Sequence, residues 1–256
     1  MKRYSNLIIT VSLFALALFC LFFFEFRQTK ILSDPVANEL LCNVISRLSI
    51  CCLFVWVLYI KGNLMFFSVR RGVWRQIIWA IPCFLVAIVN IPWSALISGA
   101  VAIIRPELIA LYIIYVTAIA LLEEFVFRGV VINIVYSYFR YKQYRYVWTT
   151  LVASIFFSLT HLTNLLTGAW VGSVLLQIVY SFLIGAMLSV VIFKTRNIWL
   201  CVIIHAVFNF GGLLTAYIAR GEPWDLVFWI LTAVCGILCA AHVVFTLYKL
   251  EKQNVS

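Results

Sequence analysis

The sequence predicts an all-α fold, a polytopic transmembrane helical bundle of about eight spans with both termini in the cytoplasm. Composition, run length and the placement of basic residues carry that reading. Of 256 residues, 65% are hydrophobic and 11% charged, which leaves more apolar surface than a water-soluble domain of this size can bury. In hydrocarbon every backbone N–H and C=O must find a partner inside the protein. Long apolar runs without period-two alternation therefore mean helices and not a barrel, and strands are not expected.

Crossing about 30 Å of hydrocarbon at about 1.5 Å per residue takes roughly 20 residues. The first qualifying segment, Leu7 to Phe24, begins like a secretion signal but has no clear small-residue cleavage site before Glu25, so it reads as a retained span. The second is Leu40 to Ile60. The third runs from Ile77 to about Leu96, and its apolar region continues through Pro92, Trp93 and Ser94 to Ile104. That is too long for one crossing, so part of it is expected at the outer interface. The fourth, Leu108 to about Tyr136, is long enough to be tilted or broken. Val147 to Leu166, Ala169 to Phe193, Ile198 to Ile218 and Leu226 to Tyr248 complete the set.

Cytoplasmic loops of membrane proteins carry an excess of Lys and Arg. With the amino terminus inside, the inner segments hold Lys2, Arg3, Lys61, Arg70, Arg71, Arg75, Arg140, Lys142, Arg145, Lys194, Arg196, Lys249 and Lys252, which is 13 of the 19 basic residues. The outer segments hold four, Arg27, Lys30, Arg105 and Arg220, and Arg47 and Arg128 fall within spans. An odd number of spans would break this alternation. The net charge of +10 is thereby explained by topology and contact with anionic membrane lipid, with no nucleic-acid partner.

The eight cysteines sit within or beside apolar spans without a histidine-containing ligand cluster and read as reduced packing residues. Gly168/Gly172 and Gly185/Ser189 have the spacing that lets transmembrane helices approach closely. Ionisable residues inside spans are costly and usually face a bundle interior or a water-filled cavity. Here they are few. Glu123, Glu124 and Arg128 lie in the fourth span, His161 in the fifth, and His205 with Asn209 in the seventh.

Glu124 and Arg128 are four residues apart with the acid on the amino-terminal side, the favoured order for a same-face ion pair. Glu123, rotated by about 100° on a helix of 3.6 residues per turn, is left free for chemistry. His205 and Asn209 share a helical face, as do Phe157 and His161. A carboxylate and an imidazole can hold and deprotonate a water, while a second imidazole and a carboxamide can donate to the oxyanion formed when that water attacks a carbonyl. Those are the parts of an amide hydrolase. His242, Arg47, Asn90 and Asn133 are read as structural.

At these residues the sequence resembles the CAAX-protease and bacteriocin-processing group of intramembrane endopeptidases, also called Abi or CPBP, which includes the Rce1-type prenyl-protein proteases. Glu-Glu-x-x-x-Arg is present as Glu123, Glu124 and Arg128, Phe-x-x-x-His as Phe157 and His161, and His-x-x-x-Asn as His205 and Asn209. The resemblance spans about Leu108 to Leu214. It implies a catalytic core over 108–214, with 1–107 as accessory helices and 215–256 as the end of the seventh span, the last helix and a cytoplasmic tail. It further implies that Glu123 activates water with His161, that His205 and Asn209 form the oxyanion site, and that Glu124 and Arg128 position Glu123.

Two histidines and a glutamate, Glu123, His161 and His205, can also ligate zinc with one position left for water. The histidines lack the His-Glu-x-x-His arrangement and Asn209 is a poor zinc ligand, so a metal-free site without cofactor is favoured. Three functions follow: an endopeptidase acting on a membrane-associated peptide or protein, a non-proteolytic regulator or bacteriocin-immunity protein of the same fold, and a transporter using a buried proton relay. Intact motifs favour the first. The lack of inverted-repeat signals disfavours the third. Small size and absence of organelle signals fit the plasma membrane of a bacterium.

Overall fold

The computed structural model describes residues 8, 12, 15, 16, 19–27, 29–60 and 72–253. Eight of the 18 residues of the expected first span, Leu7 to Phe24, lie outside these residues, as do Lys61, Arg70 and Arg71. The architecture is a membrane-type bundle of helices. Among the described residues, five segments are long and apolar enough to cross a membrane: Pro35–Ile60, Pro106–Phe139, Arg145–Leu166, Val171–Thr195 and Leu226–Lys252.

Helix α1 is Pro35–Ile60, entered through Asp34, whose carboxylate accepts the Ala37 N–H at 2.7 Å as a helix cap should. The expected third span is divided into α2 (Val73–Trp79), α3 (Ile81–Val89) and α4 (Trp93–Ser98). Proline is the cause. Pro82 stands in the first turn of α3 and Pro92 immediately before α4, and each lacks the N–H that a continuing helix needs.

The fourth span is a single helical segment with a change of winding inside it. Helix α5 (Ile109–Glu124) passes into a π-helical stretch, Phe125–Val131, and then into α6 (Ile132–Phe139). The long segment is therefore not broken but locally widened, immediately after Glu124. The carboxamide of Asn133 donates to the Gly129 carbonyl at 2.7 Å, so it satisfies a backbone acceptor within that stretch.

Helix α7 (Arg145–Leu159) runs into a 3₁₀ segment, Thr160–Thr167, followed by α8 (Val171–Thr195). Helix α9 is Ile198–Gly212, capped by Asn197, whose side chain accepts the Trp199 and Leu200 N–H groups. The expected seventh span, Ile198 to Ile218, ends early: α10 (Leu214–Tyr217) is a separate turn. The chain closes with α11 (Leu226–Lys252), capped by Asp225.

The expectation of no strands is corrected in one place. Val101–Ile103 (β1) and Ala219–Gly221 (β2) pair antiparallel, with Val101 opposite Gly221. The connectors leaving α4 and α10 meet there and satisfy each other's backbone groups. Gly221, at φ +131°, is required, because a Cβ would lie 1.9 Å from the Ala100 carbonyl oxygen.

The bundle has chemically distinct ends. At the β1–β2 end, Arg105 bonds Asp34 at 2.8 Å and Glu107 at 2.5 Å. At the opposite end Glu251 accepts the Tyr146 and Val147 N–H groups at the start of α7. There the rings of Tyr136, Tyr146 and Phe193 pack together beside Arg196.

Of the two small-residue pairs, only Gly185/Ser189 brings helices together. A Cβ at Gly185 would meet Ser154 and Phe157 of α7 at 3.2 Å. Gly168 instead ends the 3₁₀ segment at φ +85°, and Gly172 faces the Trp170 ring. Within the described residues the cysteines are free thiols, six of them buried.

Candidate active site

The polar side chains of the site come from four parts of the bundle. Glu123 and Glu124 end α5, Arg128 lies in the π-helical stretch, Phe157 lies on α7, His161 begins the 3₁₀ segment, and His205 and Asn209 lie on α9. The packing of α5 against α9 and of α7 against α8 brings them to one cavity.

Arg128 Nη1 donates to Glu124 Oε1 at 3.0 Å, with both residues buried, at 1% and 0% exposure. The predicted ion pair is present, and it has further partners. Arg128 Nη2 donates to the Gly185 carbonyl at 3.1 Å, an acceptor the guanidinium can reach because Gly185 lets α7 and α8 approach closely. A second finding concerns His205. Its Nδ1 lies 2.7 Å from Glu124 Oε1 and its Nε2 lies 3.4 Å from Glu123 Oε2. The imidazole thus bridges the two carboxylates, and Glu124 is shared between Arg128 and His205. A buried charge without such partners would cost several kcal/mol.

Glu123 differs from Glu124 in environment: its side chain is 28% exposed and faces the cavity. His161 contacts the Phe157 carbonyl through Nδ1 at 3.3 Å and Ser181 Oγ through Nε2 at 3.4 Å. Phe157 explains the aromatic position of its motif. Its ring lies edge-on to both His161 and His205, with centroids 5.4 and 5.8 Å away, and under the Arg128 guanidinium at 5.0 Å. One buried ring therefore fixes three polar groups.

The cavity has a volume of about 240 Å³ and is lined by Glu123, His161, His205 and Asn209. All four predicted catalytic side chains share it. Glu124 and Arg128 sit behind this wall. Sequence reading missed Ser181, Gln177, Asn164 and Tyr180, which line the same space, with Asn164 donating to Gln177 at 2.7 Å. Arg47, read from sequence as purely structural, also reaches the lining. Asn90 does hold helices together, donating to the Phe208 carbonyl at 2.6 Å one residue before Asn209.

For the metal alternative, the donors do not converge. Both nitrogens of His205 face carboxylates and those of His161 face Phe157 and Ser181. No group of three His, Cys, Asp or Glu among the described residues is arranged to hold a metal ion.

Fold and cavity together define a polytopic helical membrane protein with a buried acid, imidazole and guanidinium network opening on a polar chamber. Residues 105–211 match the family model described as type II CAAX prenyl endopeptidase Rce1-like, so this segment is similar to the CAAX-protease, or CPBP, family. The matched segment contains Glu123, Glu124, Arg128, Phe157, His161, His205 and Asn209. No curated protein and no solved structure matches the chain.

Proposed function

We propose that the protein is an intramembrane endopeptidase that hydrolyses a peptide bond in a membrane-associated peptide or protein. The observation that carries this reading is the bridge of His205 between Glu124 and Glu123, with Glu123 and His205 facing the cavity that His161 and Asn209 also line. Residues 108–214 are the catalytic core, 1–107 the accessory helices, and 215–256 the end of the seventh span, the last helix and a cytoplasmic tail.

Glu124 holds the imidazole through Nδ1, which leaves Nε2–H directed to the cavity. Glu123, with His161 positioning the water, takes a proton as the water oxygen bonds to the scissile carbonyl carbon. His205 Nε2–H and the Asn209 amide donate to the resulting oxyanion. Collapse breaks the C–N bond, and Glu123 returns the proton to the leaving nitrogen. No covalent acyl-enzyme forms and no cofactor is used.

The basic residues around the Tyr136, Tyr146 and Phe193 cluster support a cytoplasmic placement of that end, in keeping with eight crossings of a bacterial plasma membrane and both termini inside. The test is profiling of new protein termini in membranes from cells making the wild-type chain, Glu123→Gln or His205→Ala at equal levels. Termini that appear with wild type and vanish with both variants are expected. Identical profiles in all three, with an unaltered phenotype, would make the protein a non-proteolytic regulator.

A further inference from the structure

We infer that Arg47, on α1 and outside the family-matched segment, is a specificity residue that binds a carboxylate of the substrate. This rests on the peptidase reading above and adds a chemical requirement to it.

Arg47 and Glu123 are the cavity-lining residues with a full formal charge at neutral pH, histidines aside. They belong to different helices and have different surroundings. Arg47 Nη1 donates to Asn43 Oδ1 at 2.5 Å and to the Asn43 carbonyl at 3.3 Å, one turn back on α1. Its guanidinium lies over the ring of Tyr115, 5.6 Å from the centroid. Tyr115 is itself fixed: it is 5% exposed, and its hydroxyl meets that of Tyr217 at 3.0 Å, which in turn donates to Glu39 at 3.1 Å. Asn43 and Tyr115 thus hold a planar cation at the cavity wall, a preorganised fork of the kind suited to a carboxylate.

Its position agrees with a role separate from the chemistry. Tyr115 and Glu123 lie on the same helix, eight residues and so about 12 Å apart. A carboxylate at Arg47 therefore belongs to a residue a few positions from the scissile bond. An anionic substrate entering a chamber whose base is a carboxylate needs such a counter-charge. The carboxylate has two possible sources, the C-terminus of the chain or an Asp or Glu side chain.

The probes are acylated peptides of varied sequence, singly labelled for binding and internally quenched for turnover, presented to the full-length protein in detergent. Each is made with a free or amidated C-terminus and with each acidic residue kept or replaced by its amide. Binding is followed by fluorescence anisotropy on the Glu123→Gln protein, and turnover on wild type. One of the two carboxylates is expected to improve both binding and kcat/KM by about tenfold to a hundredfold, the range of a charge-assisted hydrogen bond. In Arg47→Gln that ratio falls close to one, and Arg47→Lys retains part of it. The inference is overturned if neutral and anionic peptides behave alike with wild type, or if Arg47→Gln discriminates as before. Because anisotropy needs no turnover, a protein that binds carboxylate peptides through Arg47 without cleaving them refutes the peptidase reading alone. Cleavage without carboxylate preference refutes the Arg47 inference alone.

Discussion

Arg128 and Glu124 are nearly inaccessible to solvent, and removing one member strands the other in a low-dielectric interior. Arg128→Met should lower stability by about 3 to 5 kcal/mol, read from unfolding of the purified protein in detergent. Arg128→Met combined with Glu124→Gln should recover part of that loss, since no charge is left without a partner. Glu123 behaves oppositely. Its side chain is partly exposed to the cavity, so Glu123→Gln should change the unfolding midpoint little while reducing turnover by at least about a hundredfold, as loss of a general base does. The pairing of Glu124 with Arg128 was legible from their four-residue spacing. The sharing of Glu124 with His205 was not, because those residues are 81 positions apart and only the packing of α5 on α9 sets their distance. Arg47 escaped for the same reason: nothing local to α1 announces that it faces Tyr115.

Backbone approach governs the next scale. A Cβ on Gly211 would fall 2.3 Å from the Asn90 carbonyl oxygen, whereas one on Gly129 would meet the end of the Leu58 side chain at 3.0 Å. Backbone cannot step aside as a leucine methyl can. Gly211→Ala should therefore destabilise by about 1 to 3 kcal/mol and Gly129→Ala by less, a contrast measurable in the same unfolding assay. The long apolar runs that became α1, α7, α8 and α11 were visible as hydropathy. The division of the third span turned on Pro82 and Pro92, residues that sequence reading noticed only in part. The β1–β2 pairing joins segments 118 residues apart, Val101 to Ala219, and short ladders of that kind leave no periodic signal.

Across the whole molecule, one end carries a pH response. At the β1–β2 end the Ala37 N–H and, after it, the Arg105 guanidinium hold the Asp34 carboxyl below its ordinary range. A carboxylate depressed in the folded state adds stability above its unfolded pKa, and that contribution fades as pH falls through the folded value. Acidification below about pH 4 should thus reduce stability in wild type and less so in Asp34→Asn, as melting curves between pH 6 and pH 3 will report. Topology is checked separately. Single cysteines placed at Lys142 and Glu222 in a cysteine-free background should be labelled by an impermeant reagent from opposite sides, Glu222 in intact cells and Lys142 only after permeabilisation. Hydropathy and basic-residue counts predict an orientation for the bundle. They carried no information on where its interior is hollow, which depends on how α1, α5, α8 and α9 meet.

The π-helical stretch at Phe125–Val131 sets two helical phases within a single crossing. Upstream, the register of α5 aims Glu123 and Glu124. Downstream, α6 keeps its own register against its neighbours. One residue of extra winding lets these two tasks be adjusted independently, so that the acid pair can be re-aimed without rotating the rest of the span. Deleting one residue from the stretch should rejoin the phases. Helical content would remain while the register between Glu124 and Arg128, and with it hydrolysis, would be lost.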